Sequence, residues 1–174
     1  MMKQLSFIIQ CLMQDSMLDG LDLRLLAELQ RDASRSNQAL ADSLGVAPAT
    51  TLRRVRRLSG MGVIERQVAL LNPERLAAAI GHGLSALVEV SLDRQGAEYL
   101  DAFEARAVAD AAVQQCWRVS PGPDFVLVVA VRDMPGYQAL AQRLFTQDAN
   151  VRNVRAFFST RRAKFEPALP LPLP

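Results

Sequence analysis

Two periodicities divide the chain. From Leu18 to Ile64 apolar residues recur at three- and four-residue spacing, as amphipathic helices require. From Leu84 onward, short runs rich in β-branched residues alternate with helically spaced stretches. Leu21, Leu25, Leu26 and Leu29 form one stripe, which predicts a helix from Leu18 to Gln30 with Asp19 as its cap and Asp22 near the positive end of its dipole. Ser36 caps a second helix over NQALADSL, in which Leu40 and Leu44 share a face, and Gly45 allows the tight turn after it. Pro48 suits the first position of a third helix, which Gly60 and Gly62 bring to an end.

At about 100° per residue, Leu52, Val55 and Leu58 of the third helix share a stripe, while Arg53, Arg54, Arg56 and Arg57 fan out on the other side. A guanidinium can fork onto a phosphate or onto the O6/N7 edge of guanine. With Thr50 and Thr51 at the helix start, these four arginines are therefore candidate DNA-binding residues, and double-stranded DNA is the candidate partner. The competing reading is a basic face that is merely solvated. The order helix, Gly-containing turn, basic helix favours a helix-turn-helix.

Beyond Gly62, Val63, Ile64, Val68 and Leu70 suit a short strand flanking the helices as a wing, and NPERLAAAIGHG reads as a linker with one turn of helix. The second half predicts a strand over LSALVEVSL and a helix over QGAEYLDAFEARAVADA. Strands VQQCWRV and FVLVVAV follow around the turn SPGPD, then a helix over PGYQALAQRLF and a last strand over VRNVRAFFST. That order is βαββαβ, a ferredoxin-like arrangement whose antiparallel sheet carries both helices on one face and leaves the other bare for association. The expected fold class is α+β, with a winged helix-turn-helix before a ferredoxin-like domain. Expected boundaries are a tail at 1–17, the helix-turn-helix at 18–66, a linker at 67–82, the ferredoxin-like domain at 83–165 and a Pro-rich tail at 166–174.

Composition narrows the chemistry. With 174 residues, half of them hydrophobic, the chain can bury a substantial core. Two cysteines and one histidine are too few for a disulfide framework or a two-histidine metal motif, so no metal is expected; nor is any cofactor or catalytic residue expected. From Gly20 to Arg66 there are eight arginines against five acids, whereas 67–174 is balanced at eleven of each, so the basic excess sits with the helix-turn-helix. The apolar patch Leu5–Met13 is too short to span a bilayer, which with the cysteine usage suggests a cytoplasmic protein without a membrane partner.

On these residues the chain resembles the Lrp/AsnC, or feast/famine, family of transcriptional regulators. The marks are Leu18-Asp19-x-x-Asp22-x-x-Leu25-Leu26, Leu29-Gln30-x-Asp32, Arg35-Ser36-Asn37 and Leu40-Ala41, followed by Arg53/Arg54-Val55-x-Arg57-Leu58, Gly62-Val63-Ile64 and Leu71-Asn72-Pro73. The resemblance implies a C-terminal effector and oligomerisation domain, and dimers that assemble to tetramers, octamers or larger rings. It also implies a small-molecule effector, typically an amino acid, bound between dimers near the turn joining the second and third strands. Here that turn is Ser120-Pro121-Gly122-Pro123-Asp124, with Pro121 where the family has glycine and Gly122 displaced by one. The implied effector-binding residues are Ser120, Gly122, Asp124, Ser159 and Thr160. Asp124 could hold a ligand ammonium or cap the turn, and the two hydroxyls could be structural. Two other readings stay open: an architectural DNA-binding protein without effector, and an enzyme like the siroheme decarboxylases, which resemble this two-domain plan and would have only His82 as an imidazole.

Overall fold

A computed structural model describes residues 18–81 and 83–172, with the side chains of Glu74 and Ala78 left aside. Expectations about residues 1–17 and His82 lie outside the described residues. The chain forms two units, one running to Ala69 and resuming at Phe165, the other Leu70–Lys164.

The first unit holds three helices, α1 (Gly20–Arg31), α2 (Asn37–Leu44) and α3 (Pro48–Gly60). Each begins as its sequence dictates. The Asp19 carboxylate accepts the Asp22 N–H and Asp22 accepts the Asp19 N–H, a reciprocal capping box. The Ser36 hydroxyl accepts the Ala39 N–H, and Gly45 takes a left-handed φ of 69° that a side chain would resist. α3 starts on Ala47, which offers no side-chain cap. Leu25, Leu40, Leu44 and Leu58 make the shared core. The buried stripe of α3 is Thr51, Val55 and Leu58 rather than the expected Leu52, Val55 and Leu58, and Leu52 is 41% exposed. The i, i+4, i+7 spacing of Thr51 outranks hydrophobicity here, because the direction of the helix face is set by its larger partner Leu58.

The strand expected as a wing does not form. Residues 65–72 have no regular structure, and Val68, Leu70 and Leu71 are more than 60% exposed. Alternating apolar residues make a strand only beside a hydrogen-bonding neighbour, and none of the described residues pairs with this segment. The linker helix is longer than the single expected turn, running as α4 over Pro73–Ile80 behind an Asn72 cap. At the other terminus the Pro-rich segment rests on α1: Gln30 Nε2 donates to the Leu169 carbonyl at 3.1 Å, and the Leu169 N–H donates back to Gln30 Oε1 at 2.6 Å.

The second unit has the expected βαββαβ order: β1 (Leu84–Leu92), α5 (Ala97–Ala109), β2 (Val113–Arg118), β3 (Phe125–Val131), α6 (Met134–Ala141) and β4 (Val151–Phe158). A π-helical turn, Gln142–Thr146, extends α6 and buries Leu144 and Phe145. The strands lie β2-β3-β1-β4, all antiparallel. Val88, Val90, Leu92, Phe125, Leu127 and Val129 face the helices and pack on Phe103, Ala107 and Leu140. On the opposite face register aligns Trp117, Val126, Glu89 and Arg155 in one row, and Gln115, Val128, Leu87 and Phe157 in the next. Trp117, Leu87 and Phe157 are about half exposed there, at 58%, 48% and 47%. Phe158, one residue on, turns the other way and meets Tyr137 of α6 edge-on.

Candidate nucleic-acid interface and effector turn

α3 carries its four arginines on two different sides. Residues three apart on a helix are neighbours, so Arg53 and Arg56 form one pair and Arg54 and Arg57 another. The second pair faces α1. Arg54 Nη1 lies 2.7 Å from Asp19 Oδ2 and 2.7 Å from Asp22 Oδ1, and Arg57 Nη2 bonds Asp22 Oδ2. Asp22 is fully buried and the Arg54 side chain is only 19% exposed. Burial opposes ionisation of Asp22, yet the hydrogen bonds from Arg57, Arg54 and the Asp19 N–H outweigh it and hold its carboxyl at about 2. Arg54 likewise depresses Asp19, whose carboxylate in turn keeps the guanidinium charged.

Arg53 and Arg56 are exposed and make no ion pair with any described residue. Thr50 is half-buried at the helix start. The expected set is thereby corrected at two positions. Thr51 is 1% exposed and cannot reach a base edge, and Arg54 braces α3 against α1 instead of fanning outward. Arg57 is exposed, with 42% of its side chain accessible, yet it is tied to Asp22. Asp22 is the partner of these arginines that sequence reasoning missed. Its spacing from Asp19 signals a capping box, but nothing local announces that the pair also receives two cations 32 and 35 residues away.

The effector turn is also partly rearranged. Asp124 sits where β3 begins; its N–H donates to the Val90 carbonyl at 2.9 Å, and its Oδ2 accepts the Leu92 N–H at 2.7 Å. One carboxylate oxygen therefore closes the end of β1. Ser120, Pro121 and Gly122 are exposed beside it, with Gly122 at φ 122°. Ser159 and Thr160 lie elsewhere. They follow β4, and the Ser159 N–H donates to the Ser85 carbonyl at 2.8 Å. Ser85 and Leu92 stand at opposite ends of β1, about 23 Å apart for an extended strand. Antiparallel pairing carries the end of β4 away from the β2–β3 turn, so a single chain brings together only Ser120, Gly122 and Asp124 of the expected set.

Comparison with known proteins decides the kinship. A model of the AsnC-type helix-turn-helix domain matches residues 18–59, and a model of the Lrp/AsnC ligand binding domain matches residues 85–169. The chain belongs to the Lrp/AsnC family. It is 35% identical over 154 residues to the Bkd operon transcriptional regulator of Pseudomonas aeruginosa, covering 88% of this chain and 98% of that protein. The leucine-responsive regulatory protein of Rhizobium meliloti is 36% identical over 84% of this chain and 92% of its own. Among solved structures, an AsnC family transcriptional regulator from Agrobacterium tumefaciens superposes with a TM-score of 0.77 at 27% identity, covering 88% of this chain and 97% of that one. As an Lrp/AsnC protein the chain is a transcriptional regulator with a DNA-binding helix-turn-helix and a ligand-binding domain. The decarboxylase reading finds no support among these relatives, which are named regulators. No described helix is long and apolar enough to cross a membrane.

Proposed function

We propose that this Lrp/AsnC regulator presents α3 to the major groove, with Arg53 and Arg56 as its principal DNA contacts, Thr50 beside them at the helix start, Arg57 adjoining and Arg54 as a brace. The observation that carries this reading is the division of the arginines: two are neutralised against α1, and two stand exposed on the outer face with no described counter-charge. Each phosphate contact releases counterions and adds about 0.9 to the slope of log affinity against log salt. Replacing Arg53 and Arg56 together with Gln should lower that slope by about two for each α3 engaged. An unchanged slope would place the DNA contacts elsewhere.

The effector proposed is an amino acid, in keeping with the match to a ligand-binding domain and with the leucine-responsive name of the Rhizobium meliloti relative. The bare sheet face, with Trp117, Leu87 and Phe157, is the surface proposed to pair with a second copy. An effector site using both Ser120, Gly122 and Asp124 and the hydroxyls of Ser159 and Thr160 needs at least two copies, because one chain holds them at opposite ends of β1. A dimer assembling to a tetramer or octamer would supply them. One observation favours a second reading, an architectural DNA-binding protein without effector: Pro121 offers no N–H to a carboxylate ligand, and Asp124 already spends an oxygen on Leu92. Thermal unfolding against a panel of free amino acids separates the two, since a ligand of the folded state raises the midpoint with its concentration. A shift for one compound supports the effector, and no shift with any supports the architectural protein.

A further inference from the structure

We infer that Asp22, assisted by Asp19, is a positioning residue for DNA recognition, which withholds Arg54 and Arg57 from phosphates so that α3 meets DNA mainly through Arg53 and Arg56. The inference rests on the DNA-binding reading above and names the device that limits its electrostatics. Three arrangements carry it. Asp22 is fully buried at the start of α1, yet both of its oxygens are turned to α3, Oδ1 to Arg54 and Oδ2 to Arg57. Asp19 adds a second carboxylate on Arg54, at 2.8 and 2.7 Å from Nη1. The junction thus sets two negative charges against two positive ones, on the flank of the helix proposed to face a polyanion.

A basic helix with all four guanidiniums free would hold any duplex through its phosphates, because phosphate contacts raise affinity without regard to sequence. Tying half of them down leaves a smaller sequence-independent component, against which base contacts count for more. The same tie fixes the rotation of α3 on α1, and so fixes which side chains point outward. Neither effect needs Asp22 to touch DNA. A merely structural aspartate would influence folding stability but not the number of phosphates neutralised, and the two roles are separable on that ground.

The test is the salt dependence of the full chain's binding to a random-sequence duplex. Asp22→Asn, which keeps the shape and removes the charge, should steepen the slope by about one for each α3 engaged and tighten binding at low salt. Asp22→Glu, which keeps the charge, should stay at the wild-type slope. Where Asp22→Asn fails to fold, Asp19→Asn decides, since Asp19 is largely exposed and its loss loosens Arg54 alone; the same direction is expected, at a smaller size. A slope unchanged or shallower in a folded neutral variant overturns the inference. Absence of salt-dependent duplex binding by the wild-type chain would instead overturn the DNA-binding reading, and this inference with it.

Discussion

The junction between α1 and α3 and the sheet of the second unit solve the same problem, fixing one element against another, by opposite means. In the sheet the contact is apolar and self-announcing: Val88, Val90 and Leu92 alternate with outward Leu87 and Glu89, and a one-residue slip would expose the whole set. At the α1–α3 junction the contact is a buried carboxylate holding two guanidiniums, where orientation is specified by hydrogen-bond geometry and charge. Apolar packing tolerates an isosteric change, while a buried ion pair does not tolerate loss of one partner, because the other is left desolvated. The sheet is thus built to be stable, and the junction to be particular.

The largest expected effect lies in the sheet. Phe125→Ala, at a fully buried ring packed at a tilt against Phe103, should cost about 4 kcal/mol of the second unit's stability by denaturant unfolding. Asp22→Asn should cost the helical unit about 3 kcal/mol, as the guanidiniums lose a buried counter-charge. The junction also has a pH signature. The Asp22 carboxyl lies at about 2 in the folded chain against 3.8 for an ordinary aspartate, so its contribution is complete above 3.8 and fades as pH falls toward 2. Hydrogen exchange of α1 amides should show this loss between pH 4 and pH 2 in the wild type and not in Asp22→Asn.

Smaller changes sharpen the comparison. Leu87→Arg, on the bare face, should alter the isolated unit's stability by less than about 0.5 kcal/mol yet shift the sedimentation profile toward monomer. Full-size dimers from that variant would place the self-association surface elsewhere. Ala47→Ser should add about 1 kcal/mol to the helical unit by supplying the cap that α3 lacks, read as a higher thermal midpoint.

The same contrast explains what the sequence made legible. Order, class and face of the βαββαβ unit follow from alternation, and Phe157 and Phe158 divide between the faces as adjacent strand residues must. The caps at Asp19 and Ser36 were legible because a cap is a local contact. Four features were not. The wing failed because a strand needs a neighbour that periodicity cannot supply, and Thr51 took Leu52's place because a one-residue step of helix phase, about 100°, is invisible in an Arg-rich segment. The division of the arginines depended on Asp22, more than thirty residues away in sequence. Ser159 and Thr160 parted from Asp124 because topology, and not type of residue, decides which ends of strands meet.

The most direct test of the account is a comparison of two single variants of α3, Arg56→Gln and Arg54→Gln, in the salt dependence of duplex binding. The two side chains are two residues apart on one helix and differ only in whether α1 holds them. The account predicts a slope shallower by about one per engaged helix for Arg56→Gln and no change for Arg54→Gln. Equal losses from the two would contradict it, since all four arginines would then meet DNA alike.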